Sequence, residues 1–307
     1  MTPCIAPADA STSHDASRLL AVLAGLKSVA VALSGGVDSA VVACAAQRAL
    51  GSQALAFTGD SPSVARNDID HACQIASLLG IRHELVPTQE FDSPAYVAND
   101  GARCYHCKST LYDTAGQHLV RWGASYILSG ANLDDLGDYR PGLQAAAERQ
   151  IRHPLVEAGL GKDRVRALAR LWGLPIWDKP ASPCLSSRLA PGVQATPERV
   201  ARVESGELFL HDLGYPVCRV RVHAGELARV EIPAESIPAF INSDHLTPVS
   251  VRLKELGFQF VTLDMEGFRT GNLNILVPLG IRTSYAKNRP VGMNDLSQPD
   301  PPQGVNS

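Results

Sequence analysis

The chain has 307 residues, 45% of them hydrophobic and 19% charged, with a formal net charge of −3. That composition can bury a core and fits one large or two moderate domains of about 100–200 residues each, and it lacks the basic surplus of a nucleic-acid binder. No apolar run of about 18 residues offers a membrane span and no cationic-then-apolar start offers a secretory signal; the seven cysteines, an odd number, fit reduced thiols in the cytoplasm better than a disulfide framework.

Residues 1–16, rich in Ala, Ser, Thr and Pro, predict a flexible tail, and the Asn, Pro, Gln and Gly of 287–307 predict another. Between them lie a larger region, 17–191, and a smaller one, 192–286. Residues 28–33 (SVAVAL) form a short, β-rich apolar run ending in Ser-Gly-Gly, as a buried parallel strand entering a tight turn does. A breaker-free helix at 38–50 follows, stopped by Gly51, then a strand at 54–58, a helix at 68–79 stopped by Gly80, and a strand at 82–86. A helix at 110–122, a strand at 126–129 and a helix at 162–172 complete the region. This alternation predicts an α/β domain with a doubly wound, mostly parallel sheet. After Pro191 and Gly192 the pattern changes. Helices at 196–207 and 248–256, with strands at 217–222, 227–232 and 258–263, predict a second, smaller α+β domain.

The most specific local string is 34–39 (SGGVDS), placed between a predicted strand and a predicted helix. Gly35 and Gly36 let the backbone turn tightly and leave room for close approach. The N–H groups of Ser34, Gly35, Gly36, Val37, Asp38 and Ser39, with the helix N-terminus, then suit a phosphate or pyrophosphate. The Ser34 and Ser39 hydroxyls add donors. Asp38 is an anion beside a phosphate site, which calls for Mg²⁺ close by. The lysine of a Walker loop is absent, which argues against γ-phosphoryl transfer. The string resembles the PP-loop of the ATP-pyrophosphatases, which split ATP into AMP and pyrophosphate while adenylating a substrate.

A second polar segment, 129–142 (SGANLDDLGDYRPG), follows a predicted strand and so lies where open α/β sheets bind ligands. Asp134, Asp135 and Asp138 offer oxygen ligands for Mg²⁺, and Asn132 and Arg140 could fix a carboxylate or phosphate.

Cys104 and Cys107 form a C-x-x-C that reads equally as a zinc half-site, a redox pair or a cluster half-site. No second C-x-x-C completes a zinc site. Cys184 stands far downstream in 183–188 (PCLSSR); were the fold to bring it to the pair, three thiolates would leave one iron of a 4Fe–4S cluster open. Arg103, Lys108 and Arg188 flank these cysteines and favour thiolate. Cys44 and Cys73 sit among apolar neighbours and read as core, and neither Cys4 nor Cys218 is assigned a role.

Taken together, SGGVDS, RCYHCKSTLY (103–112), GANLDDLGDYRPG (130–142) and WDKPASPCLSSR (177–188), with Arg219, Arg221 and 266–271 (EGFRTG), resemble the sulfurtransferases that build the nickel-pincer nucleotide cofactor of lactate racemase. The resemblance implies a pyridinium dicarboxylate mononucleotide as substrate, adenylated on a ring carboxylate and converted to a thiocarboxylate. It implies ATP and Mg²⁺ as cofactors, with Asp38 toward the metal, and Cys184 as the sulfur-bearing catalytic residue. In some members that cysteine gives up its own sulfur; those with the additional C-x-x-C hold a 4Fe–4S cluster on residues matching Cys104, Cys107 and Cys184, and this chain carries the pair. Asn132, Asp134, Asp135, Arg140 and Arg188 are expected around the substrate, and Arg219, Arg221 and Arg269 on its phosphate. A homo-hexamer, a sulfur donor and a nickel-insertion partner are the implied partners. Three other readings stay open: a PP-loop tRNA thiolation enzyme, an amide-forming ligase of the NAD or GMP synthase kind, and a non-catalytic nucleotide-binding module.

Overall fold

Short apolar segments alternate with helices through the first half of the chain, and each strand lies parallel to its neighbours. The computed structural model describes residues 10–137, 140–269 and 271–281; Asp138, Thr270 and the expected tail at 287–307 lie outside the described residues. In chain order the first region comprises α1 (Ala10–Ala24), β1 (Val29–Ala32), α2 (Val37–Leu50), β2 (Ala54–Asp60), α3 (Arg66–Leu79), β3 (Arg82–Pro87), α4 (Pro94–Ala98), α5 (Arg103–Trp122), β4 (Tyr126–Leu128), α6 (Pro141–Glu148), α7 (Pro154–Glu157) and α8 (Lys162–Leu171). The sheet order is β3-β2-β1-β4, all parallel, with Val29 opposite Ala54 on one side and Tyr126 on the other. Helices cover the sheet, so Val29, Ala30 and Val31 are fully buried and β1 reads as a continuous apolar run.

Strand order decides where a ligand can sit. The chain moves outward from β1 to β2 to β3, then returns to place β4 on the other side of β1. The crevice above the carboxyl ends of β1 and β4 is therefore the switch point, the usual ligand position in open α/β sheets. The SGGVDS loop follows β1 and the 129–135 loop follows β4, so both motifs face that crevice.

The second region holds α9 (Pro197–Asp212), β5 (Arg219–His223), β6 (Leu227–Glu231), α10 (Ile237–Ile241), α11 (Leu246–Glu255) and β7 (Phe260–Leu263). Its small mixed sheet has the order β5-β6-β7, with β5/β6 antiparallel and β6/β7 parallel. Thr196 caps α9 by accepting the Arg199 N–H, and Pro197 occupies the first turn. The second core includes Tyr96, Leu185 and Leu189 from the first region, and Cys107 packs against it. The second core thus reaches into the cysteine segments.

Two expectations need correction. Residues 10–16, expected within the tail, belong to α1: Asp15 is buried between Arg18 and Arg164, and Ala16, Leu19 and Leu23 fill the first core, each leucine contributing about 1.5–3 kcal/mol. The helix expected at 110–122 begins at Arg103, so the C-x-x-C lies in its first turns. Among the described residues no helix is long and apolar enough to cross a membrane.

Candidate functional site: a phosphate loop and a thiol group at one sheet edge

β1 delivers the chain to Ser34, and the turn is made by Gly35 in the left-handed region at φ 73°. A Cβ at Gly35 would come within 2.7 Å of the Asp68 carbonyl oxygen, so only glycine passes beneath the first turn of α3. Gly36 caps α2 with no side chain of its own. The Ser34 N–H donates to Ser39 Oγ at 3.1 Å, the two serine hydroxyls lie 3.1 Å apart, and the Ser39 hydroxyl donates to the Gly36 carbonyl at 3.1 Å. The loop is thereby fixed with the start of α2 open to the crevice. A helix N-terminus of this kind carries about half a positive charge, which suits phosphate.

The loop after β4 closes over α2. A Cβ on Gly130 would lie 2.7 Å from the Ser39 nitrogen and 2.9 Å from its Cα, so the two backbones are in direct contact there. Asn132 is fully buried; its carboxamide faces Asp38 and favours that carboxylate, yet Nδ2 makes no hydrogen bond of ordinary geometry. Burial raises the Asp38 carboxyl pKa, and the charge of Asp135 raises it further against the opposing pull of Asn132, Lys162 and Arg166. Asp135 pairs with Arg140 at 3.0 Å and with Lys162 at 3.7 Å. Asp134 instead accepts the Lys162 N–H at 2.6 Å and so holds the start of α8.

Cys104 and Cys107 are one turn apart at the N-terminus of α5. Cys184 immediately precedes the short helical turn Leu185–Arg188. These three thiols share one electrostatic neighbourhood. Burial, then the Cys184 charge, with lesser pushes from Glu90 and Cys104, raises the Cys107 pKa against the pull of Lys108. Burial opposes the charge on Arg103, but Cys104, Cys184, Tyr96 and Cys107 outweigh it and raise its pKa. Lys108 is also raised, chiefly by Tyr112 and then by the same three cysteines. Among the described residues no three Cys, His, Asp or Glu side chains are grouped tightly enough to hold a single metal ion. A cluster makes a different demand, because each thiolate ligates its own iron. The three cysteines are of the donor type that such a cluster takes, while burial disfavours the thiolate of Cys107.

Arg188, expected at the substrate, is buried and forked onto Glu207 through two contacts of 3.0 Å. It also donates to the Pro183 and Cys184 carbonyl oxygens, so it fixes the Cys184 turn from behind. Arg221 is buried against Glu231 at 2.9 Å, a carboxylate it shares with Arg229. Arg219 stacks on Phe268 at 5.0 Å and donates to the Cys218 carbonyl; no carboxylate pairs with it among the described residues. Burial lowers its pKa, and the charges of Arg188 and Arg221 lower it further. Arg269 is exposed and touches Glu266. Cys44 and Cys218 are buried, as their apolar surroundings require, and burial raises both thiols.

A family profile described as asparagine synthase matches residues 22–99, which span β1, the phosphate loop and α2. The chain is 46% identical over 244 residues to an uncharacterised protein of Synechocystis sp., covering 80% of this chain and 91% of that one. It is 36% identical over 258 residues to the pyridinium-3,5-bisthiocarboxylic acid mononucleotide synthase of Lactiplantibacillus plantarum, covering 83% of this chain and 92% of that one. The chain belongs to the PP-loop ATP-pyrophosphatase family. Among solved structures, the NMN synthetase of Francisella tularensis matches with a TM-score of 0.44 at 19% identity, over 57% of this chain and 76% of that one.

The PP-loop site draws in residues to which the sequence assigned no role. Lys162 and Arg166, one turn apart on α8, place positive charge toward Asp38. Lys179 donates to the Gly35 carbonyl at 3.1 Å, to Asp68 at 3.0 Å and to His71 Nδ1 at 3.0 Å. The basic i, i+4 pair on α8 was the available signal for the first two; the contacts of Lys179 are long-range and leave no trace in local sequence.

Proposed function

We propose that the protein adenylates a carboxylate of a pyridinium dicarboxylate mononucleotide with ATP, releasing pyrophosphate, and then converts the acyl adenylate to a thiocarboxylate. The observation that supports this reading is the PP-loop at the carboxyl end of β1 together with the segment 179–184, which runs from the Lys179 contact on that loop to Cys184. The 36% identity to a bisthiocarboxylic acid mononucleotide synthase over 92% of its length supports the same substrate class.

In this reading the N–H groups of residues 34–39 and the Ser34 and Ser39 hydroxyls hold the ATP phosphates. Lys162 and Arg166 add positive charge where pyrophosphate departs. Asp38 and Asp135 repel each other at a buried spot, and an ion held mostly by phosphate and water fits between few protein ligands, so these two carboxylates would hold Mg²⁺. Bound Mg²⁺ would neutralise charge as pyrophosphate leaves. Arg219, which no carboxylate pairs among the described residues, would grip the phosphate of the nucleotide together with Arg221 and Arg269. A carboxylate oxygen attacks the α-phosphorus and the bond to pyrophosphate breaks. A sulfur nucleophile from the Cys184 side then attacks the carbonyl carbon, and AMP leaves with the bonding electrons. Cys104, Cys107 and Cys184 would hold a 4Fe–4S cluster, whose open iron could carry the sulfide to be transferred. The implied hexamer has a candidate contact in β7, an edge strand with Phe260 exposed.

The test is pyrophosphate release from ATP and Mg²⁺ with the dicarboxylate mononucleotide, followed by mass spectrometry of the nucleotide. Nucleotide-dependent release and exchange of carboxylate oxygen for sulfur are expected. Release that depends on ammonia or tRNA instead would overturn the reading.

A further inference from the structure

Lys179 lies between the two halves of the site, and its hydrogen bonds identify its role. An ammonium group has three protons and accepts nothing. All three of its acceptors are named above: the Gly35 carbonyl, Asp68 Oδ1 and His71 Nδ1. Lys179 is mostly buried and fully used by the protein, so it positions backbone and does not reach a ligand. Its first acceptor is the left-handed residue of the PP-loop itself.

Asp68 is the joint. Oδ1 accepts a hydrogen bond from Lys179, and Oδ2 accepts one from the Ser182 hydroxyl at 2.8 Å. Ser182 is two residues before Cys184, with Pro183 between them and Pro180 just upstream, so the segment has little backbone freedom. α8 holds the same segment from its other side, since Arg166 donates to the Trp177 carbonyl at 2.8 Å and the Lys179 carbonyl at 3.0 Å. At the far end Leu185 N–H donates to the Ser63 carbonyl at 2.8 Å, and Arg188 holds the Cys184 carbonyl at 3.0 Å. A shift of Gly35 on binding phosphate therefore has one short, proline-stiffened route to the Cys184 thiol.

We infer that residues 179–184 form a strap coupling occupancy of the PP-loop to the position and reactivity of Cys184, with Lys179, Asp68 and Ser182 as positioning residues. The inference rests on the proposed function only in taking ATP as the occupant of the loop; it requires no sulfur chemistry. A contiguous hydrogen-bonded network can carry coupling of this kind, and this one has three side chains.

The experiment uses the iron-free full chain. Alkylation of Cys184 by iodoacetamide is followed by peptide mass spectrometry, so that Cys104 and Cys107 are scored separately. Rates are taken alone, with Mg²⁺ and pyrophosphate, and with Mg²⁺ and ATP, beside equilibrium ATP binding. Pyrophosphate fills only the phosphate loop and so separates coupling from shielding by the nucleoside. In the unaltered chain both ligands should change the Cys184 rate by about 5-fold or more. Ser182→Ala removes one exposed hydroxyl and should lose most of that response while still binding ATP; Ser182→Thr, which keeps the hydroxyl, should retain it. An unchanged response in Ser182→Ala, or ATP binding with no response in the unaltered chain, overturns the strap alone. Absence of ATP binding to the unaltered chain overturns both the strap and the proposed function.

Discussion

Asp38 is held against its own ionisation, because burial and the neighbouring Asp135 both raise its pKa in the folded chain. In the unfolded chain it ionises near the ordinary aspartate value of about 3.9. Between that value and the raised one, the folded state keeps a proton that the unfolded state has lost. Stability therefore falls as pH rises through this window, and the full penalty is present above the raised value. Asp38→Asn removes it. The ligand-free variant should melt higher than the parent at pH 7, and the gain should vanish below about pH 3.9. Pyrophosphate release should nevertheless drop by about 100-fold or more, since a carboxylate aimed at a charged centre is lost. Melting curves across pH and a release assay check both halves; a variant that is no more stable at pH 7 would mean that Asp38 is not strained. Arg188 shows the reverse balance. Its guanidinium is forked onto buried Glu207, so Arg188→Leu leaves a carboxylate without its cation and should cost about 3–5 kcal/mol in denaturant unfolding.

At the scale of elements, the PP-loop is legible in sequence because everything that makes it is local: an apolar strand, two glycines and a helix within one short run. The partner of Arg188 is not, because Glu207 lies on α9 and only the packing of α9 against the Cys184 turn brings them together. The start of α5 escapes a sequence reading for a related reason. Cys104, Tyr105, His106 and Cys107 have modest helix propensity, and packing on the second core holds them helical. The crevice itself depends on the close approach of β4 to α2 at Gly130. Gly130→Ala places a methyl carbon against the Ser39 backbone, where no flexible side chain can yield. Overpacking of that kind costs about 1–3 kcal/mol. Because the strained contact lies at the N-terminus of α2, weaker ATP binding should accompany the lower melting temperature. Equilibrium binding and thermal unfolding of the one variant check this; unchanged ATP affinity would mean that the loop tolerates displacement of α2.

At the scale of the whole molecule, the segments carrying Cys107 and Cys184 border the second core. Leu185 belongs to the second core and Cys107 packs on it, while Cys104 stands exposed at the tip of α5. Arg221 of the second sheet donates to the Ser187 carbonyl and so reaches the segment that carries Cys184. What the three thiols carry is then a measurable matter. Arg103 and Lys108 lie in the field of all three and would offset the negative charge of thiolate-bound iron. Protein purified without oxygen and reconstituted with iron and sulfide should hold about four irons per chain, with acid-labile sulfide to match. Cys104→Ser changes one exposed side chain, so its melting temperature before reconstitution should equal that of the parent while its iron content falls. Full iron retention by the variant would remove Cys104 from the ligand set. Iron at background in the parent would leave Cys184 as a donor of its own sulfur, and conversion of that residue to dehydroalanine after a single turnover would then be visible in its peptide mass.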